Sequence, residues 1–195
     1  MIQFEEAELV APDTYLLRRR LRGQAGTDGI MPDEWPAGSV FVLLDETPQQ
    51  ITLPLALRDE ARHYRYGPAA KVLDHPSYTQ VEVAVRGAGL RPYNPCHLQF
   101  AVSGSDIYLS WIRRTRLDGD SWSAPEVPLG EESERYLVRI LEGGSLLREV
   151  TVDSLSWRYT AADQIADGWS GAGLVEVAQI SASYGAGPYA RIALG

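Results

Sequence analysis

The stretch Asp106-Ile107-Tyr108-Leu109-Ser110-Trp111-Ile112 decides how the second half of the chain folds. Ile107, Leu109 and Trp111 fall on one side of a period-two pattern, and Tyr108, Ser110 and Ile112 on the other, as in a half-buried strand. A Trp on the inner side needs a large slot and a partner for its indole N–H, which points to a core between two sheets. After Arg113-Arg114-Thr115-Arg116 the pattern breaks at Leu117-Asp118-Gly119-Asp120, where Asp-Gly signals a turn because Gly accepts positive φ.

Working outward, further strands are predicted at sandwich-like spacing over His97–Val102, Asp106–Arg114, Glu134–Leu141, Leu146–Val152, Ser156–Thr160, Leu174–Ala182 and Tyr189–Leu194. Ser103-Gly104-Ser105, Glu142-Gly143-Gly144 and Tyr184-Gly185-Ala186-Gly187-Pro188 supply turns, and Ala161–Asp167 reads as a single helical turn. Seven short strands make a β-sandwich. Upstream, Ile2–Val10 alternates, turns at Ala11-Pro12-Asp13 and continues in Thr14-Tyr15-Leu16-Leu17, a hairpin. Ser39-Val40-Phe41-Val42-Leu43-Leu44 is an apolar run suited to a buried strand. Gln50–Leu55 resumes an extended form, and Arg62–Gly67 and Thr79–Val85 read as strands. The whole chain is therefore mainly β. Gly87-Ala88-Gly89-Leu90-Arg91-Pro92-Tyr93-Asn94-Pro95 concentrates Gly and Pro, placing the division between an N-terminal β domain, 1–91, and the sandwich, 92–195.

Composition narrows the function classes. The 195 residues are 45% hydrophobic with a net charge of -8, a globular composition. Residues 1–91 carry 10 basic and 13 acidic side chains and residues 92–195 carry 8 and 13, so neither half has the basic field that nucleic acid demands. A single cysteine, Cys96, excludes an internal disulfide and fits synthesis in a reducing cytosol. No apolar run approaches the roughly 18 residues of a membrane span.

No constellation for catalysis emerges. His63, His75 and His97 lack metal-ligand spacing to one another. Asp118-Gly119-Asp120 resembles a corner of a calcium loop without its ligand ladder, and a hairpin turn explains it better. Glu131, Glu132 and Glu134 offer paired acids of the kind used in glycoside hydrolysis, yet loop carboxylates before a strand are commoner. Nothing around Cys96 would make it a nucleophile. Gly23-Gln24-Ala25-Gly26-Thr27-Asp28-Gly29 lacks the Lys-Ser/Thr of a P-loop and reads as a loop needing positive φ. Arg18-Arg19-Arg20-Leu21-Arg22 alternates faces in a strand, so it forms no continuous basic stripe. Arg113, Arg114 and Arg116 are placed to pair with Glu131, Glu132 and Glu134 across the intervening loop. Trp122 and Trp169 lie in loop-like stretches, where they serve either as binding anchors or as caps on the core. The chain reads as a binding or structural module without catalytic, metal or cofactor residues, rather than an enzyme.

Two resemblances sharpen this. With its proline-led entry Arg91-Pro92-Tyr93-Asn94-Pro95, Trp111, Tyr136 in the third strand and the last hairpin from Val175 to Pro188, residues 92–195 resemble a fibronectin type III domain. The tyrosine such domains carry early in the penultimate strand is replaced here, with Leu174 nearest. Second, Ile2–Glu8, Leu21-Arg22-Gly23-Gln24-Ala25-Gly26-Thr27, Gly89–Pro95, Ser110–Arg116 and Val127–Glu132 lie in an order that resembles the C-terminal region of phage tail-tip or baseplate host-specificity proteins, including those of rhodobacterial gene transfer agents. The resemblance implies a virion structural component made in the bacterial cytoplasm. Its partners would be tail hub, distal tail or fibre proteins, with a homotrimeric arrangement and contact with a host glycan or receptor. The glycosidase-like barrel of the longer relatives is absent here, so its activity is not implied. The alternatives are a carbohydrate-binding module using Trp122 and Trp169, or an accessory domain of a glycosidase.

Overall fold

A computed structural model describes the 195 residues except Glu46, Asp120, Trp122, Ala124 and Pro125. It is mainly β and falls into two compact units, Met1–Asp33 with Gly89–Gly195, and Glu34–Ala88. The break near Gly89 lies close to the Gly/Pro stretch expected to divide the chain at 91/92. The N-terminal hairpin, however, groups with the sandwich rather than with residues 34–88.

In the first unit, β1 (Ile2–Ala11) and β2 (Thr14–Arg22) form an antiparallel hairpin whose register pairs Phe4 with Arg20, Glu6 with Arg18 and Leu9 with Tyr15. The second unit contains β3 (Ala61–Tyr66) and β4 (Thr79–Ala84), again a two-stranded antiparallel sheet. Its connecting loop folds over Tyr78, whose hydroxyl donates to the carbonyls of Pro68 and Lys71 at 3.0 and 3.2 Å. A side chain at Gly67 would strike that Tyr78 ring at 2.6 Å, so glycine lets the loop close.

The sandwich carries the core. One sheet is β5 (Cys96–Ser103), β6 (Asp106–Ile112) and β9 (Ser156–Tyr159), in the order β5-β6-β9. The other contains β7 (Tyr136–Glu142), β8 (Ser145–Val152), β10 (Gly173–Ser181) and β12 (Ala190–Leu194), with β7 between β8 and β10 and with β12 beyond β10. A two-residue strand, β11 (Gly185–Ala186), also pairs with β10. Three strands facing four long ones, with the short β11 added beside β10, make the expected fibronectin type III-like β-sandwich. The alternation around Trp111 holds: Ile107, Leu109 and Trp111 are buried, whereas Tyr108 and Ile112 are exposed. They meet Tyr136, Val138 and Ile140 of β7 and Val175 and Val177 of β10. Trp111 and Tyr136 pack edge to face with centroids 5.3 Å apart. Contrary to expectation, the Trp111 indole N–H is buried without a hydrogen bond among the described residues, a desolvation cost of about 1–3 kcal/mol that the packing must offset.

The helical turn is α1 (Ala161–Asp167). Thr160 caps it by accepting from the Asp163 N–H, and Gly168, left-handed at φ 68°, ends it. Arg148 of β8 ties the helix down, donating to both carboxylate oxygens of Asp167 at 2.6 and 3.0 Å, while the Tyr159 hydroxyl donates to Asp167 at 2.7 Å.

One expectation needs correction. Ser39–Leu44 is not a buried strand: Val40 to Leu44 are all exposed, Val40 at 89%, and the segment has no ladder partner among the described residues. Its apolar, β-branched character suits a strand, but a strand exists only against another edge. Gln50–Leu55, expected to be extended, carries no ladder among the described residues and runs into a 3-10 turn, Leu55–Leu57. Gly173 shares the inward register of Val175 and Val177. A Cβ there would lie 2.6 Å from the Trp169 ring and 2.3 Å from the Leu141 carbonyl oxygen. Trp169 therefore fills this end of the core from outside the strand, its ring edge-on to Tyr159 at 6.2 Å.

Candidate functional site

Two of the sequence stretches that carry the resemblance meet in space. β2 ends in the loop Gly23–Ile30, which contains two 3-10 turns. Its course requires left-handed backbone at Gly23 (φ 75°), Ala25 (φ 53°) and Gly26 (φ 71°). Gly26 lies flat against Tyr93, where a Cβ would sit 2.2 Å from the ring, and the Arg91 guanidinium donates to the Gly26 carbonyl at 2.7 Å. Arg114 reaches across from the end of β6, donating to Asp28 Oδ2 and Asn94 Oδ1, both at 2.8 Å, with its guanidinium 5.0 Å from the centre of the Tyr93 ring. Gly29 packs against Pro188. The N-terminal amine closes the loop from the other side by donating to Thr27 Oγ1 at 2.5 Å. Glycine, aromatic face and an arginine that bridges Asp28 and Asn94 form a clasp that fixes the hairpin arm to the sandwich.

The expected arginine–glutamate pairs form in part. Arg113 donates to Glu134 at 3.2 Å and to the Val127 carbonyl at 2.9 Å, and Arg116 donates to Glu131 at 2.9 Å. Glu131 is nearly fully enclosed, and its second oxygen has no hydrogen-bond partner among the described residues. Arg114 goes to Asp28 instead, a partner 86 residues away that spacing could not reveal. Glu132 accepts from the Ser183 hydroxyl at 2.6 Å and the Ala182 N–H at 3.0 Å, and these hydrogen bonds hold its carboxyl below the usual carboxylate range. The three carboxylates are thus spent on separate structural partners.

The remaining candidates are scattered. His63 lies 3.7 Å from Glu82, His75 contacts the Ser77 hydroxyl at 2.8 Å, and His97 stands at φ 51° in β5, where its register slips against β6. Cys96 Sγ is 3.7 Å from the Ile112 carbonyl oxygen. Among the described residues, no group of three or more His, Cys, Asp or Glu side chains could hold a metal. The left-handed residue is Asp118, at φ 49°, rather than Gly119, and the stretch links β6 to β7 of the other sheet instead of closing a hairpin, while Asp120 and Trp122 lie outside the described residues. Trp169 is half-buried against the core.

What stands out is the surface left without a partner. None of the described residues before Pro92 is buried, in the arm or in residues 34–88. Leu9, Val10, Tyr15, Leu16 and Leu21 are exposed along the arm, as are Val40–Leu44 in the other unit. Sequence reasoning found both apolar segments but assigned the second to a core.

A family model, Rcc01698-like, C-terminal, matches residues 1–42, which comprise the arm, the clasp loop and the start of the exposed run. No curated protein matches the chain. Among solved structures, the chain is similar to the extracellular region of rat CD45, domains d3–d4. That match has 11% identity, covers 96% of this chain and 92% of that one, and has a TM-score of 0.39, too low to carry an argument.

Proposed function

We propose that this chain is an assembly module of the tail tip or baseplate of a phage or phage-like particle, which joins tail hub or fibre proteins and contributes to host attachment. One observation carries the reading: none of the described residues in the first 91 is buried, although the segment holds strands and contiguous apolar runs. Two-stranded sheets with no covered face are marginal in water, and large exposed apolar surfaces mark sites of association. The sandwich supplies stability, the clasp fixes the arm to it, and the arm and the Val40–Leu44 run gain their burial from neighbouring chains. The match of the Rcc01698-like, C-terminal model to residues 1–42 and the resemblance to gene transfer agent proteins support the same assignment.

Labelling tests it. An antibody raised against the sandwich should decorate one pole of purified tailed particles under the electron microscope. Particles that carry none of this chain would refute the reading.

A further inference from the structure

The arm segregates charge by strand. β1 carries Glu5, Glu6 and Glu8 and no basic residue, whereas β2 carries Arg18, Arg19, Arg20 and Arg22 and no acidic one. Within one arm, Arg18 pairs with Glu8 and Arg19 with Glu5, both at 3.0 Å. Each strand also has an outer edge whose backbone N–H and C=O groups lack a ladder partner among the described residues, one edge belonging to the acidic strand and the other to the basic strand. Exposed edges of this length are templates for further pairing.

The two edges complement each other. When arms of two copies lie side by side in the same orientation, β2 of one faces β1 of the next, antiparallel as inside the hairpin. Such a head-to-tail contact is heterologous, and it closes when copies are arranged about an axis along the arm. The period-two pattern decides which face turns inward. Ala7, Leu9, Tyr15, Leu17 and Leu21 share one face by register with the Glu5–Arg19 ion pair, which satisfies its own charges there, and Leu9, Tyr15 and Leu21 are each about 60% exposed. A closed ring would bury this face and remove both edges together.

We infer that the arms of several copies of this chain pair edge to edge, acidic β1 against basic β2, in a closed antiparallel ring with the Leu9–Tyr15–Leu17 face inside. This rests on the assembly reading above and supplies its homotypic contact. Three is the smallest number of arms expected to close, because two leave a flat sheet with free edges.

Native mass spectrometry and sedimentation velocity on the full chain, over a concentration series and at low and high salt, provide the test. Wild-type chain should form a cyclic oligomer whose association weakens at least about tenfold as salt screens the edge charges. A charge-swapped chain, with Glu5, Glu6 and Glu8→Arg and Arg18, Arg19 and Arg20→Glu, keeps its internal pairs and should also oligomerise. Mixed with wild type, it should form separate rings only, since a mixed contact sets like charges together. A second variant, Leu9→Lys with Tyr15→Lys, alters only exposed side chains and should be monomeric with an unchanged circular dichroism spectrum. Monomers at every concentration, free mixing of wild-type and swapped chains, or normal rings in the lysine variant would each overturn the inference. Whether the chain co-purifies with particles is scored separately: a monomeric chain still incorporated into tails would sink the ring and leave the assembly role standing.

Discussion

The clasp predicts a specific effect of Gly26→Ala. Two costs arise there. Alanine in the left-handed conformation at φ 71° costs about 1–2 kcal/mol. Its methyl group would lie 2.2 Å from Cε1 and 2.7 Å from Cδ1 of Tyr93, so the ring or the loop must shift, which costs roughly 1–3 kcal/mol more. Tyr93 cannot move freely, because the Arg114 guanidinium lies over it while holding Asp28 and Asn94. The sum, about 2–5 kcal/mol, falls on the docking of the arm and not on the sandwich core. Hydrogen exchange reads it directly: amide protection in residues 23–30 should drop by about thirtyfold to a few thousandfold, while β7 and β10 exchange as before. Gly104→Ala is the control. It has φ 63° but nothing within 4 Å of the added methyl, so only the conformational cost of about 1–2 kcal/mol applies. Equal and purely local effects of the two substitutions, with the 23–30 loop unchanged in Gly26→Ala, would refute the clasp.

Other outcomes follow from the same geometry. Trp169→Ala should destabilise the sandwich by about 2–4 kcal/mol in urea unfolding, since its ring replaces a side chain at Gly173; a change below about 0.5 kcal/mol would show that the ring is not part of the core. Val42→Lys should leave stability within about 0.5 kcal/mol and reduce binding of a hydrophobic dye, whereas a large loss would reinstate the buried strand at this run. Stability should also fall in acid. Asp106 is held below the usual carboxylate range by the Ala161 N–H and then Arg158, and Asp167 by the Arg148 guanidinium with help from the Tyr159 hydroxyl. Carboxyls depressed in the folded state bind more protons when unfolded, so their contribution is present above the ordinary range near about pH 4 and is lost as pH drops through the folded-state values. Asp167→Asn should flatten that acid limb, and an unchanged pH dependence would argue against the Arg148–Asp167 tie.

The sandwich was legible because its strands alternate. The inward residues Ile107, Leu109 and Trp111 and the opposing Tyr136, Val138 and Ile140 follow period two, and turn glycines separate the strands. The N-terminal third was harder for a physical reason. An apolar run such as Val40–Leu44 announces a need for burial without saying whether the same chain meets it. The clasp was only half visible. Arg113 and Arg116 find carboxylates within about twenty residues along the chain, whereas the pairing of Arg114 with Asp28 spans 86 residues and belongs to tertiary structure. Gly173 was missed because a strand residue with no side chain gives no pattern, and its meaning depends on Trp169 arriving from the loop beyond α1.

The most direct measurement of the central claim is a cryo-electron microscopy reconstruction of the assembled particle at a resolution that traces β-strands. It should show the sandwich at the tail tip, with the β1–β2 arm paired along its edges and Val40–Leu44 covered by a neighbouring chain. A sandwich located there with its arm and apolar run open to solvent would contradict the account, as would a tail tip that lacks the chain.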